Sequence, residues 1–194
     1  MNVSGAHAMA DDPEHAFGIP RRELLLGCGA NKTKKLCHPD HKDWTNLTTL
    51  DFTDIHEPDI VHDISKIPLP FDDNTFDEIH AYEVMEHVGQ QGDWKFFFDQ
   101  WSDLWRILKP GGYFFGSSPL WNSAWAWGDP GHTRIVNAEC LCFLQQPIFW
   151  QVGISPMTDY RFCYKADFDI THAKPNDAEQ LEYVLQAVKP SRIK

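Results

Sequence analysis

The 194-residue sequence predicts an α/β fold, a mostly parallel central sheet of about six to seven strands with helices on both faces. Three observations predict it. Short apolar runs end in glycine or an acidic residue, one longer stretch carries apolar residues at steps of three and four, and strand-like and helix-like segments alternate. Alternation of that kind joins parallel strands by crossovers. The length suits one domain, set over residues 21–194, and 42% hydrophobic with 13% aromatic residues supply a core able to offset conformational entropy. Residues 1–20, small and acidic with Pro13 and Pro20, have no sustained period and are expected to form a flexible arm or lid.

The first strand is Glu23-Leu24-Leu25-Leu26, stopped by Gly27-Cys28-Gly29. An apolar run ending in glycines is the pattern of a buried strand entering a tight turn. Segments 46–51, 59–63 and 76–84 are short, rich in β-branched or apolar residues, and end near a carboxylate, which makes them three more strands. Phe97, Trp101, Leu104, Trp105 and Leu108 share one face of a helix over 93–108, ended by Lys109-Pro110-Gly111-Gly112. A fifth strand over 113–118 follows, then a short helix over 139–144 and strands over 164–172 and 181–188, one of them antiparallel.

Composition narrows the function. No stretch approaches the roughly 18 apolar residues of a membrane span, and the first residues lack a basic segment followed by an apolar one. A cytoplasmic protein is expected, with its five cysteines as reduced thiols. The net charge of −11 opposes attraction to phosphate backbones, so nucleic acid is a disfavoured partner. Lys32, Lys34 and Lys35 read as a solvated turn, with a single phosphate contact as the alternative. Cys37, His38 and His41 lack a second cysteine pair and read as a polar loop, so no metal is expected.

In an open parallel sheet, ligands bind beyond the carboxyl ends of the strands. Gly27 and Gly29 lie at the first such end, where the lack of Cβ lets backbone amides approach a ligand. Asp51 ends the second strand, where a carboxylate suits the two hydroxyls of a ribose. Asp63 ends the third and suits the exocyclic amine of a purine, with the Ile64 amide beside it. Glu83 and Glu86-His87 follow the fourth; Glu86 reads as a charge serving the first turn of a helix, with a place beside the ligand as the alternative.

The stretches LLLGCG, LDF, LPFDDNTFDEI, EVMEH and LKPGG together resemble the class I S-adenosylmethionine-dependent methyltransferases, in particular the type 11-like branch, over about residues 22–118. The resemblance implies a Rossmann-like methyltransferase fold with S-adenosylmethionine as cofactor. It implies that Gly27, Cys28 and Gly29 line the methionine part, that Asp51 holds the ribose, that Asp63 and Ile64 meet the adenine, and that Glu83 lies near the methionyl or sulfonium end. Two positions depart from the family pattern: Leu25 stands where an acidic residue is common, and Lys32 near a further expected glycine. A dinucleotide oxidoreductase would require G-x-G-x-x-G, and position 32 is lysine. A protein that binds the cofactor without turnover is a second reading, and a nucleotide or nucleic-acid methyltransferase a third.

The acceptor side falls to residues 119–134, PLWNSAWAWGDPGHTR, with a small molecule as the expected acceptor. His132 is the candidate base for an acceptor that must lose a proton, and Asp129 would orient it or an acceptor amine. The plainer alternative makes Asp129-Pro130-Gly131 a turn and His132 a loop residue. Trp121, Trp125 and Trp127 are candidate walls of the acceptor pocket, with burial in the core as their alternative.

Overall fold

The computed structural model describes residues 20–194, so all but the last residue of the expected arm or lid over 1–20 lies outside the described residues. Seven strands form one sheet: β1 (Glu23–Leu26), β2 (Leu47–Asp51), β3 (Ile60–Val61), β4 (Phe76–Tyr82), β5 (Leu108–Pro119), β6 (Phe168–Pro175) and β7 (Gln180–Ala187). Their order is β3-β2-β1-β4-β5-β7-β6. Neighbours among β1 to β5 are parallel, and β7 runs antiparallel between β5 and β6. The carboxyl ends of the first five strands therefore share one edge. The order reverses between β1 and β4, which opens a crevice at that edge.

Element bounds shift where local chemistry intervenes. β4 stops at Tyr82, short of the expected 84, because Glu83 takes φ 58°, outside strand geometry. β3 keeps only two of the five residues expected. Residues 164–167 are not strand: the Tyr164 amide donates to the Tyr160 carbonyl at 2.8 Å and closes a turn, so β6 begins at Phe168. Lys109-Pro110-Gly111-Gly112 enters β5 through an irregularity between the Phe76/Leu108 and Glu78/Tyr113 pairs.

One face of the sheet is covered by α1 (Trp94–Ile107), whose N-cap Asp93 accepts from the Phe96 amide at 3.1 Å. Phe97, Trp101 and Leu104 of α1 join Leu24, Leu26, Ile79 and Phe114 in the main core. The Trp101 ring meets Phe114 edge-on at 4.9 Å. The short helices α2 (Ala124–Gly128) and α3 (Ala138–Cys142) are capped by Ser123 and Asn137.

Among the described residues the other face of β1 and β4 is sealed without a helix, since the crossover over 27–46 is irregular. Leu25, Cys28 and Tyr82 form a small apolar cluster there with Leu36, Trp44 and Leu47. Beside it, Glu23 and Glu78 lie in register on adjacent strands, both fully buried. Two buried carboxylates side by side require a cation. Lys34 supplies it, 2.5 Å from Glu23 and 2.7 Å from Glu78, so the solvated-turn reading fails for this lysine: the paired carboxylates draw it inward. Arg21 reaches the other Glu78 oxygen at 3.0 Å.

His80 completes this network. Its Nε2 lies 3.1 Å from Glu78 and its Nδ1 2.7 Å from the Tyr82 hydroxyl, while its ring stacks on Phe115 at 4.8 Å. Burial lowers the imidazole below its usual range, so it is neutral near pH 7 and donates Nε2–H to the carboxylate. Burial by itself would raise Glu78, but hydrogen bonds from His80 and Lys34 and the charge of Lys34 outweigh it and hold the carboxyl at about 2.

Candidate active site

The shared carboxyl edge gathers most of the sequence-predicted site residues. Gly27 and Gly29 both take positive φ, 56° and 49°. At Gly27 a Cβ would lie 2.6 Å from Val84, whereas at Gly29 it would meet nothing within 4 Å. The turn is thus packed at its start and open at its end. The Gly29 amide donates to Asp51 at 2.9 Å, and the Cys28 amide donates to the Leu50 carbonyl at 3.2 Å. Asp51 is only 5% exposed, yet a carboxylate has about four acceptor positions, and Gly29 and the long contact from the Thr53 amide occupy two. Acceptor capacity remains for a ligand's hydroxyls.

Asp63 follows β3, but one oxygen is already committed to the Ser65 amide (2.9 Å) and hydroxyl (2.7 Å), and the other faces Lys66 at 3.7 Å. The Ser65 hydrogen bonds hold its carboxyl below the usual range. Ile64 packs against the edge of the core. Glu83 sits in the left-handed region at φ 58°, tied to β5 by its amide to the Ser117 carbonyl and by the Ser117 hydroxyl to its carboxylate, both at 2.9 Å. A strained non-glycine residue held by its surroundings is a feature of ligand-contacting backbone.

Next to it, Met85–His87 form only a single 3-10 turn, and Glu86 points inward instead of serving a helix start. It is 2% exposed and accepts from the Ser118 hydroxyl at 2.8 Å, and its other oxygen has no partner among the described residues. Burial, reinforced by the charges of Glu83 and Asp129, pushes it up to about 8.

The loop after β5 folds back onto this point. Asp129 accepts from the Gly131 amide at 2.7 Å and closes a turn. His132 packs its ring against His87 at 4.5 Å and lies 4.0 Å from Asp129. His87 Nδ1 is 3.1 Å from the Gly131 carbonyl. The three tryptophans are not core: Trp121, Trp125 and Trp127 are 60%, 70% and 74% exposed. A cavity of about 370 Å³ lies elsewhere, lined by Trp94, Phe97, Arg134, Cys140 and Tyr160 among others.

Residues 24–116, just under half of the chain, match the family described as "Methyltransferase domain". The chain carries a methyltransferase domain. It is of the class I type, whose cofactor is S-adenosylmethionine. No curated protein matches the chain in sequence. Among solved structures, a SAM-dependent methyltransferase from Archaeoglobus fulgidus is similar at TM-score 0.54 and 16% identity, covering 86% of each chain. A complex of the Haloferax volcanii Trm112 methyltransferase activator with a putative methyltransferase gives 0.51 and 18%, over 90% of this chain and 88% of that one. Phosphoethanolamine N-methyltransferase 1 of Haemonchus contortus gives 0.56 and 11%, over 93% of this chain and 42% of that one. These likenesses concern the fold.

Several residues of the methyltransferase edge escaped the sequence reading. Ser117 and Ser118 hold Glu83 and Glu86, and Phe52 stands 77% exposed directly after Asp51. An aromatic at a strand end beside a ribose-type carboxylate was the available signal for Phe52. Nothing local marks a serine as the partner of a glutamate about thirty residues away.

Proposed function

We propose that the chain transfers a methyl group from S-adenosylmethionine to a small-molecule acceptor in the cytoplasm. The observation that carries this is the Gly29–Asp51 hydrogen bond, which sets an open glycine turn and an underused buried carboxylate side by side at the switch point of the sheet. When bound, the cofactor supplies a methyl carbon activated by a sulfonium.

The chain's own groups divide the work. Gly27, Cys28 and Gly29 admit the methionine part against bare backbone, and Asp51 accepts from the ribose hydroxyls. Asp63, through the oxygen that Ser65 leaves free, and Ile64 serve the adenine, while Glu83 serves the methionyl end. His132 and Asp129 orient the polar group of the acceptor, with His132 taking its proton where one must leave. Trp121, Trp125 and Trp127 offer rigid apolar area to it.

Calorimetric titration with S-adenosylmethionine and S-adenosylhomocysteine tests the cofactor half; absence of binding to both overturns it. Incubation with methyl-labelled cofactor and a cell-metabolite extract tests the acceptor half. Label in a small product is expected, and label confined to macromolecules would refute a small acceptor.

A further inference from the structure

Glu86, His87 and His132 converge from two segments, and one ligand atom from each lies within 4.8 Å of the others. Two of the three side chains are withdrawn from solvent and short of partners among the described residues: Glu86 is 2% exposed with Oε1 unpaired there, and the His132 side chain is 8% exposed with Nδ1 unpaired there. Unpaired buried polar atoms are costly, and two of them on residues gathered this closely mark a missing ligand. The charged neighbours Glu83 and Asp129 are both acidic, so the missing ligand is a cation. The geometry points to a divalent metal site made by Glu86, His87 and His132.

Two of the three ligands are already oriented. His87 Nδ1 donates to the Gly131 carbonyl, which leaves Nε2 for the metal; Ser118 fixes one oxygen of Glu86. Gly131 permits this closeness, since a Cβ there would meet His87 Nδ1 at 3.0 Å and Asp129 at 3.1 Å. Two imidazoles and one carboxylate suit a transition-type divalent ion such as Mn²⁺ and leave coordination positions open. An oxygen acceptor, a hydroxyl compound, fits those positions, because a bound cation lowers the pKa of the hydroxyl, whose proton leaves to solvent. His132 then acts as a ligand, and the proton-accepting role given to it above lapses. The substrate class, though not the metal binding, rests on the proposed acceptor side.

The test is titration of chelator-stripped protein with Mn²⁺ alone, followed by calorimetry and by the electron paramagnetic signal of the free ion. One tight ion per chain is expected. Glu86→Gln and His132→Ala should weaken it by more than the roughly 10- to 100-fold that loss of an outer-shell partner costs. The exposed His87→Ala variant removes a ligand with little risk to folding and should weaken it likewise. Failure of the wild type to bind Mn²⁺, or unchanged binding in folded His87→Ala, would overturn the site. S-adenosylhomocysteine titrated in parallel separates the two readings: loss of Mn²⁺ with cofactor binding intact refutes the metal site alone.

Discussion

Gly29 and Asp51 are joined by a 2.9 Å hydrogen bond that ties the turn after β1 to the last residue of β2. The bond spends one acceptor position of a nearly buried carboxylate beside the open end of the turn. Asp51→Ala should weaken S-adenosylhomocysteine binding by about ten-fold or more, as a charged acceptor is worth roughly 1.5–3 kcal/mol. Calorimetry reads this directly, and unchanged affinity would remove Asp51 from the site.

The two glycines of that turn should respond differently to alanine. Gly27→Ala combines positive φ with a Cβ 2.6 Å from Val84, a cost of about 1–3 kcal/mol seen as a lower unfolding midpoint. Gly29→Ala meets no neighbour within 4 Å, so about 1 kcal/mol of backbone cost remains and cofactor affinity falls instead. Equal thermal losses in the two variants would contradict this contrast.

Acid should destabilise the protein through Glu78. Its carboxyl is held at about 2 against an ordinary 4.5, so its contribution is complete above about 4.5 and is lost as the pH falls towards 2. His80 acts in the same direction, because its lowered value favours the neutral ring and its protonation in the unfolded chain begins near 6.5. Urea midpoints at stepped pH should fall steadily on acidification. Glu78→Gln should be less stable at neutral pH, where Lys34 and Arg21 lose a partner, and should show a shallower acid slope.

At the other end of the sheet, Asp167 is fully buried and accepts from Arg192 through Nε and Nη2, at 2.7 and 2.9 Å. Arg192→Ala leaves that carboxylate uncompensated, which costs about 3–5 kcal/mol. Chemical denaturation measures it, and a loss under 1 kcal/mol would mean that water replaces the guanidinium.

Trp125→Ala and Trp127→Ala should leave stability within about 0.5 kcal/mol, since both rings are exposed. If they contact the acceptor, KM for it rises while cofactor affinity stays unchanged. A change in cofactor affinity instead would assign them to the other half of the site.

Periodicity and strand-end punctuation carried the sequence reading of the sheet and of α1, because apolar spacing is local and the glycines and carboxylates mark where strands stop. Asp51 and the two glycines were legible for that reason. What was not legible depended on distant partners. Lys34 looks like one of three turn lysines until β1 and β4 bring Glu23 and Glu78 into register. Glu86 looks like a helix-start charge until Ser118 draws it inward. The grouping of His87 with His132 required the loop after β5 to return, and no spacing in the sequence records that return.

The helix-free crossover between β1 and β2 gives the two faces of one sheet unequal cooperativity. Apolar packing under α1 is indifferent to protons, whereas the seal made by Glu23, Lys34, Glu78 and His80 depends on Glu78 staying ionised and His80 staying neutral. Acid below about pH 4.5 should therefore open residues 30–46 as a separate unit before the helix-covered side melts, with early hydrogen exchange confined to that segment. Because the segment begins at the turn that carries Gly29, local opening there would dismantle the cofactor edge while most of the protein is still folded.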